Sequence, residues 1–426
     1  MKICVGWKII GIAIASVAVG QAEDLPPDVL LIAHTLQANR SLLNHLPQYT
    51  CLETIARAQP TRGRHKAQKQ DVIQVDIGLG GKEEIYSWPG ETTFSSKDLF
   101  ALVGHGLLSN GIFRSFAFDV FVVNAGVVKA AGQSMINGRK ALHFTFTMPT
   151  LSKTWAIKWL GAEGMVGENG EFWVDETDLT LLRLDVTATE IPLNLPLETL
   201  TLSIQYRTLM ANAGRVLIPE TALLKALERN GVLHQETMTF SHCRTFEGES
   251  KLISESTDSD DLTQKVNRYE TQREILPGGL TFSVGLESPL RADNITVGDR
   301  ISAVLQSPVK VPSRDPIPKG AILSGRVRQF QQLYDAGGAI MVGLEFDELT
   351  WPGHSSTFFG RVLSLESVPG LTNEFDRQFV RASITTSETI TPVEIPGVAS
   401  FFLQGHATSL PKGFRMVWQT NAITHP

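Results

Sequence analysis

Leu182, Leu184, Val186 and Ala188 alternate with Arg183, Asp185, Thr187 and Thr189, and the same period of two recurs along much of the chain. Ile73, Val75 and Ile77 alternate with Gln74 and Asp76. Leu142, Phe144, Phe146 and Met148 alternate with His143, Thr145 and Thr147, and Leu200, Leu202, Ile204 and Tyr206 with Thr201, Ser203, Gln205 and Arg207. Successive side chains of a strand point to opposite faces, so each run reads as a strand with one apolar and one wet face. Such strands suit an antiparallel sheet solvated on one side and argue against the uniformly apolar strands of a parallel α/β core. The pattern resumes at Leu280, Phe282, Val284 and Leu286, at Ile301, Ala303 and Leu305, and at Ile340, Val342, Leu344 and Phe346. Turn signals separate these runs: Pro277-Gly278-Gly279, Val297-Gly298-Asp299, Pro318-Lys319-Gly320, Gly337-Gly338 and Pro352-Gly353. Short strands so spaced predict a small all-β barrel or sandwich. The tail, with Phe401, Phe402 and Leu403 and then Phe414, Met416 and Trp418, reads as a last strand pair, and the polar stretch 373–391 before it as a loop.

Helical spacing is confined to a few places. After Pro26-Pro27, Asp28 is placed to cap a helix carrying Val29, Ile32, Ala33, Leu36 and Leu43, which Pro47 stops. Ser95 or Ser96 can cap a short helix with Asp98, Leu99, Leu102 and Val103, and Pro219 precedes Leu223, Leu224 and Leu227 with Gly231 as a stop signal, which predicts a second short helix. Gly170-Glu171-Phe172-Trp173-Val174-Asp175, the polar Glu176-Thr177-Asp178 and the strand beginning at Leu181 form a hairpin. The fold class expected is mainly β (α+β), an N-terminal helix plus a curved antiparallel sheet followed by a small all-β barrel or sandwich. At 426 residues the chain has room for two or three domains. The acid- and serine-rich stretch around Ser254, Glu255, Asp258, Asp260 and Asp261 marks the boundary, giving residues 23–253, a linker at 254–274 and residues 275–426.

Lys2 and Lys8, the uncharged run 9–20 and Gly20-Gln21-Ala22 have the layout of a secretory signal peptide at residues 1–22, cleaved after Ala22. The apolar run is shorter than the roughly 20 residues a membrane-spanning helix needs. Retention as a signal anchor is the rival reading, and no later stretch is long and apolar enough to span a bilayer. With 38 Lys and Arg against 44 Asp and Glu, the chain lacks the cationic field that dominates nucleic-acid binding. Cleavage removes Cys4 and leaves Cys51 and Cys243 as the only thiols of a chain sent to an oxidising space, which invites a disulfide between them. Closing so long a loop is worth at most about 5 kcal/mol of unfolded-chain entropy. Two separately buried thiols are the alternative.

Two resemblances follow. The long helix, the antiparallel strands after it and the tryptophan-bearing hairpin of Glu171 to Ala188 resemble, in layout over about residues 28–250, the lipoprotein-localisation half-barrel family (LolA/LolB-like) of the bacterial envelope. The resemblance implies a curved sheet enclosing an apolar cavity for acyl chains, lined here by Phe144, Phe146, Leu184 and Leu202; a closed core of the same side chains is the other reading. The turns and strands Leu276-Pro277-Gly278-Gly279-Leu280, Leu286-Glu287-Ser288-Pro289-Leu290, Val297-Gly298-Asp299, Ile317 to Val327 and Val342 to Leu349 stand in the order seen in the TrbI-like barrel of conjugation and type IV secretion proteins, over about residues 276–350. The chain departs from those proteins in lacking an anchored N-terminal helix and a proline-rich spacer, so the barrel carries over and the secretion machine does not.

Catalytic motifs are missing. There is no His-Glu-x-x-His, no Gly-x-Ser-x-Gly and no phosphate-binding loop. Gly78-Leu79-Gly80-Gly81-Lys82 is followed by Glu83 where a magnesium-binding hydroxyl belongs, and a hairpin turn accounts for it. Asp175, Glu176 and Asp178 could gather a divalent cation, but their spacing does not match a calcium loop and a solvated hairpin tip explains them. Gly104-His105-Gly106 near Ser109 reads as a helix stop, and His242 beside Cys243 as a neighbour of a disulfide sulfur. The sequence therefore points to a non-enzymatic protein, periplasmic or secreted in a Gram-negative bacterium, that needs no cofactor or metal and meets lipid or envelope proteins. The alternatives are an assembly component acting through the C-terminal barrel and an unrecognised hydrolase.

Overall fold

The computed structural model describes residues 25–44, 49–60, 67–80, 83–91, 93–94, 99–103, 108–109, 111–123, 126–150, 155–159, 162–211, 214–245, 273–333, 339–373, 395–404 and 409–421. The signal pattern and Ala22 lie outside them, as do Gly104-His105-Gly106 and all but the last two residues of the expected linker; those two, Arg273 and Glu274, belong to a short strand. The described residues are mainly β and form antiparallel, curled sheets.

Helix α1 (Pro27–Asn44) leads into strands β1 (Tyr49–Pro60), β2 (Ala67–Gly80) and β3 (Glu83–Ser87). A long connection follows, carrying α2 (Leu99–Val103), α3 (Ser115–Phe118) and a π-helical turn (Asp119–Val123). Then come β4 (Val127–Ile136), β5 (Arg139–Met148), β6 (Trp155–Trp159), β7 (Ala162–Asp175), β8 (Leu181–Thr189), β9 (Leu197–Ala211), β10 (Gly214–Glu228) and β11 (Leu233–Thr245). These eleven strands form one sheet in the order β3-β2-β1-β11-β10-β9-β8-β7-β5-β4, with β6 paired to β7. It is two meanders joined at a single seam between β1 and β11. The helical connection starts at one sheet edge, β3, and ends at the other, β4, so it must cross the sheet.

The seam is stapled. Cys51 and Cys243 are disulfide-bonded, and the register of the β1–β11 pair slips there, with Thr50 opposite Arg244 and Leu52 opposite Ser241. Cys51 thus faces two residues, His242 and Cys243, in a β-bulge, and His242 takes the positive φ of 50° that the extra residue requires.

One expected helix is a strand. The segment after Pro219 is β10, bonded to β9 on one side and β11 on the other. Pro219 sits at a register shift, where a missing N–H disturbs the ladder least, and Gly231, with φ of 87°, belongs to the tight turn into β11. Helix α1 also differs in detail, since its most buried residues are Thr35, Asn39 and Leu43 while Val29 is exposed. Asn39 explains the polar stripe. Its amide donates to the carbonyls of Thr35 and Leu179, and its Oδ1 accepts the N–H of Leu181 at 2.9 Å. Arg40 adds a bond to the Phe121 carbonyl.

Ten strands between Arg273–Ile275 and Arg415–Thr420 form a second sheet, antiparallel except where Arg273–Ile275 runs parallel to His354–Thr357. Phe282, Phe346, Phe358 and Trp418 pack edge to face in its core. The two sheets are joined by backbone and side chains. Val297 N–H donates to the Val72 carbonyl and the Val297 carbonyl accepts from Gln74, a parallel bridge to Ile73 on β2. Gly298, with φ of 104°, makes this approach feasible, because a Cβ there would stand 2.6 Å from the Gln74 carbonyl oxygen and 3.1 Å from the Trp88 ring. Beside it the buried Arg326 is paired with Glu91, which also meets Arg300 at 3.2 Å. Arg328, paired with Glu345, lies over the Trp88 ring and donates to the Leu102 carbonyl at the end of α2.

Candidate functional site

The registers line up one continuous row across the first sheet. Phe144 faces Phe172, Phe172 faces Leu184, Leu184 faces Ile204, Ile204 faces Ala222, Ala222 faces Met238, Met238 faces Ile55 and Ile55 faces Ile73. Every member is buried. A second row lies one step away on the same face, running Phe146, Gly170, Val186, Leu202, Leu224, Glu236, Arg57 and Asp71. Gly170 leaves space for the ring opposite it, since a Cβ there would come within 2.4 Å of Phe146. The four lining residues expected from sequence are thus brought together, Phe144 and Leu184 in the first row and Phe146 and Leu202 in the second.

The second row changes from apolar to charged where β11, β1 and β2 meet. Arg57 forks onto both carboxylate oxygens of Asp71, with Nε to Oδ1 at 2.7 Å, and both residues are buried. Glu236 stands on the other side of Arg57, fully buried, and neither of its carboxylate oxygens has a hydrogen-bond partner. Glu53, two residues before Ile55, lies on the opposite side of the central row between Val75 and Phe240. Its Oε2 is also without a partner, as are the hydroxyls of Tyr49 and Tyr206. Burial pushes the Glu236 carboxyl up to about 8, Arg57 pulling against it, and burial likewise raises Glu53 well above its ordinary range, with Glu84 and Glu236 adding to the effect. Both tyrosines are raised by burial too. Arg57 keeps its charge because Asp71 outweighs the cost of burying it.

The helical connection covers this face. Phe121 meets Phe172 edge-on at 5.0 Å, Phe116 meets Trp155 at 5.1 Å, and Phe113 lies between Tyr49 at 4.6 Å and Phe240 at 5.7 Å. Glu84 fastens the cover, accepting the backbone N–H groups of Gly111, Phe113 and Arg114 and the Tyr86 hydroxyl. The cover is built from α2 of five residues, α3 of four and a five-residue π turn, lengths at which helices hold only through tertiary contacts.

The remaining sequence candidates are occupied elsewhere. Asp175 accepts from Thr177 and pairs with Arg139, and these contacts lower its carboxyl despite some burial. Asp178 accepts from Thr180 and pairs with Arg215. No group of three His, Cys, Asp or Glu suited to a metal occurs among the described residues, and no described helix is long and apolar enough to cross a membrane. Glu53, Arg57, Asp71 and Glu236 were not singled out from sequence. The available signal was a charge at the period-two positions otherwise filled by Cys51 and Ile55 on β1 and by Ile73 and Val75 on β2.

No protein-family model and no curated protein matches the chain. Solved structures similar to about half of it include a DUF1329 family protein from Desulfovibrio piger, 12% identical, covering 52% of this chain and 95% of that one with a TM-score of 0.31. A LolA superfamily protein from Nitrosomonas europaea is 11% identical over 52% of this chain and 96% of its own, with a TM-score of 0.28. Lipoprotein LppX from Mycobacterium tuberculosis is 10% identical over 50% and 92%, with a TM-score of 0.20. These are distant likenesses, and what the chain does is read from its own inner face.

Proposed function

We propose that the chain is an exported envelope protein that binds acyl chains of a lipid or lipoprotein against the inner face of its first sheet, as a carrier or receptor and not as a catalyst. The observation that carries this reading is the unbroken apolar row from Phe144 to Ile73, eight strands wide and roofed by short, irregular helices. Every member of the row is buried beneath that cover, and in this reading the row becomes a track for acyl chains, at about 25 cal/mol per Å² of surface buried, when the cover moves aside. Unpartnered hydroxyl and carboxyl groups among the apolar side chains support it further, because a face evolved only to be core seldom leaves several polar atoms unsatisfied. Export accords with the signal pattern of residues 1–22 and with the Cys51–Cys243 bridge. In this reading residues 23–253 form the binding unit, and residues 275–426 a second unit that grips the cover through Arg328 and Leu102.

Native mass spectrometry of protein purified from its host tests the proposal. Bound lipid of defined mass, displaced by added fatty acid, is the expected result. A ligand-free spectrum that stays unchanged on adding fatty acid would remove the carrier role.

A further inference from the structure

The first sheet ends on two unlike strands. At one end β3 has five residues and is fastened to the helical connection through Glu84, and the stretch of β2 beyond it meets Val297. At the other end β4 has ten residues and is bonded to β5 alone. Nothing among the described residues pairs with its free edge. None of its residues is buried, Val127 is 65% and Met135 60% exposed, and Lys129 is its only charge. A long edge strand is ordinarily protected by several charges, a proline or a covering element. We propose that β4 pairs antiparallel with β4 of a second copy of this chain, about a two-fold axis between Ala131 and Gly132, so that two first sheets become one.

The order of residues along the strand selects this partner and this register. Opposite β5, Val128, Ala130, Gln133 and Met135 lie on the inner face, the one that carries Phe144 and Phe146, while Val127, Lys129, Ser134 and Ile136 lie on the outer face. The extra residue is Ala131, at a bulge where Gly132 takes a φ of 112°. The two-fold pairing sets Val127 against Ile136, Val128 against Met135, Lys129 against Ser134 and Ala130 against Gln133. Every pair joins residues of one face, and it does so only because the bulge shifts the alternation by one residue at the centre of the strand. Apolar ends then meet apolar ends, and each lysine faces a serine of the other copy. Parallel pairing in register would set lysine against lysine. The centre is open to a neighbour, since a Cβ on Gly132 would meet nothing within 4 Å. A contact of this symmetry uses both free edges at once and closes at two copies.

Analytical ultracentrifugation of the chain purified from its host, at micromolar concentration, should show a dimer. Val127→Glu and Met135→Lys, both at exposed positions, each set a charge against an apolar residue of the second copy twice over, and each is expected to weaken the dimer at least about tenfold. Val128→Glu should do the same. Mixed in equal amounts, M135K and V128E should associate again as a heterodimer, because the introduced base and acid then face each other. A folding defect would not be repaired by mixing. Should V128E fail to fold, the two exposed substitutions still decide the surface. A chain that is monomeric throughout, a dimer that V127E and M135K leave unchanged, or folded variants that stay apart when mixed overturns the proposal. A complex of one copy with a different protein, and no dimer, overturns it as well and gives the edge to a foreign strand.

Discussion

Arg57 stands between Asp71 on β2 and Glu236 on β11 in one cross-strand row, and it gives its guanidinium to Asp71 while neither carboxylate oxygen of Glu236 has a hydrogen-bond partner. A buried acid in that position works against folding once it ionises. Its folded-state value near 8 lies above the ordinary 4.5, so the folded chain holds an extra proton between those limits. The stability it contributes is complete below about pH 4.5 and is lost as pH rises through 8. Urea unfolding at pH 5, 7 and 9 should therefore show E236Q matching or trailing the parent at pH 5 and exceeding it at pH 9 by roughly 2–4 kcal/mol. Parallel pH profiles for the two proteins would rule out an ionisable Glu236 as the source.

Removing the staple at the seam should weaken the whole first sheet. The double variant C51S/C243S is expected to lose about 2–5 kcal/mol in denaturant melts. An assay on unreduced, denatured protein exported from its host should find neither thiol reactive, and both reactive after reduction.

Asn39 uses one amide to hold α1 against the turn between β7 and β8. Asn39→Ala leaves the Leu181 N–H without its acceptor in a buried place and should cost about 1–3 kcal/mol. Asn39→Asp keeps the acceptor and loses the two donated bonds, so hydrogen exchange at Leu181 should remain slow in it and accelerate in the alanine variant.

Gly298 is required both for its positive φ and for its distance from β2. Gly298→Ala should destabilise the contact between the sheets by more than about 1 kcal/mol, with faster exchange at the Val297 and Gln74 amides. Gly320→Ala provides the control, because Gly320 shares the positive φ while a Cβ there meets nothing within 4 Å.

Period-two runs located β5, β8, β9 and the strand Ala339–Trp351 well, because each has one wet face and the alternation records it directly. β10 departs from the helix that its sequence predicts for a physical reason. Leu223, Leu224 and Leu227 mimic a helical stripe, yet bonding to neighbours on both flanks outweighs that local pattern. Phe144, Phe146, Leu184 and Leu202 were legible as one apolar face, but their alignment into rows depends on registers that no single strand encodes. The polar end was hidden for the same reason. Glu236 lies 179 positions from Arg57, and only the seam brings them opposite each other.

The bridge from Val297 to Ile73 also bears on solubility. β3 covers β2 only from Asp76 onward, so Val72 to Gln74 would form an open strand edge if nothing lay beside them. Open edges recruit strands from other molecules. The second half of the chain supplies the missing pairing within the same molecule, which makes it a guard against self-association for the first. A chain ending at Thr245 would carry that exposed template, and its characteristic failure would be aggregation through β2 even with its own sheet and staple intact.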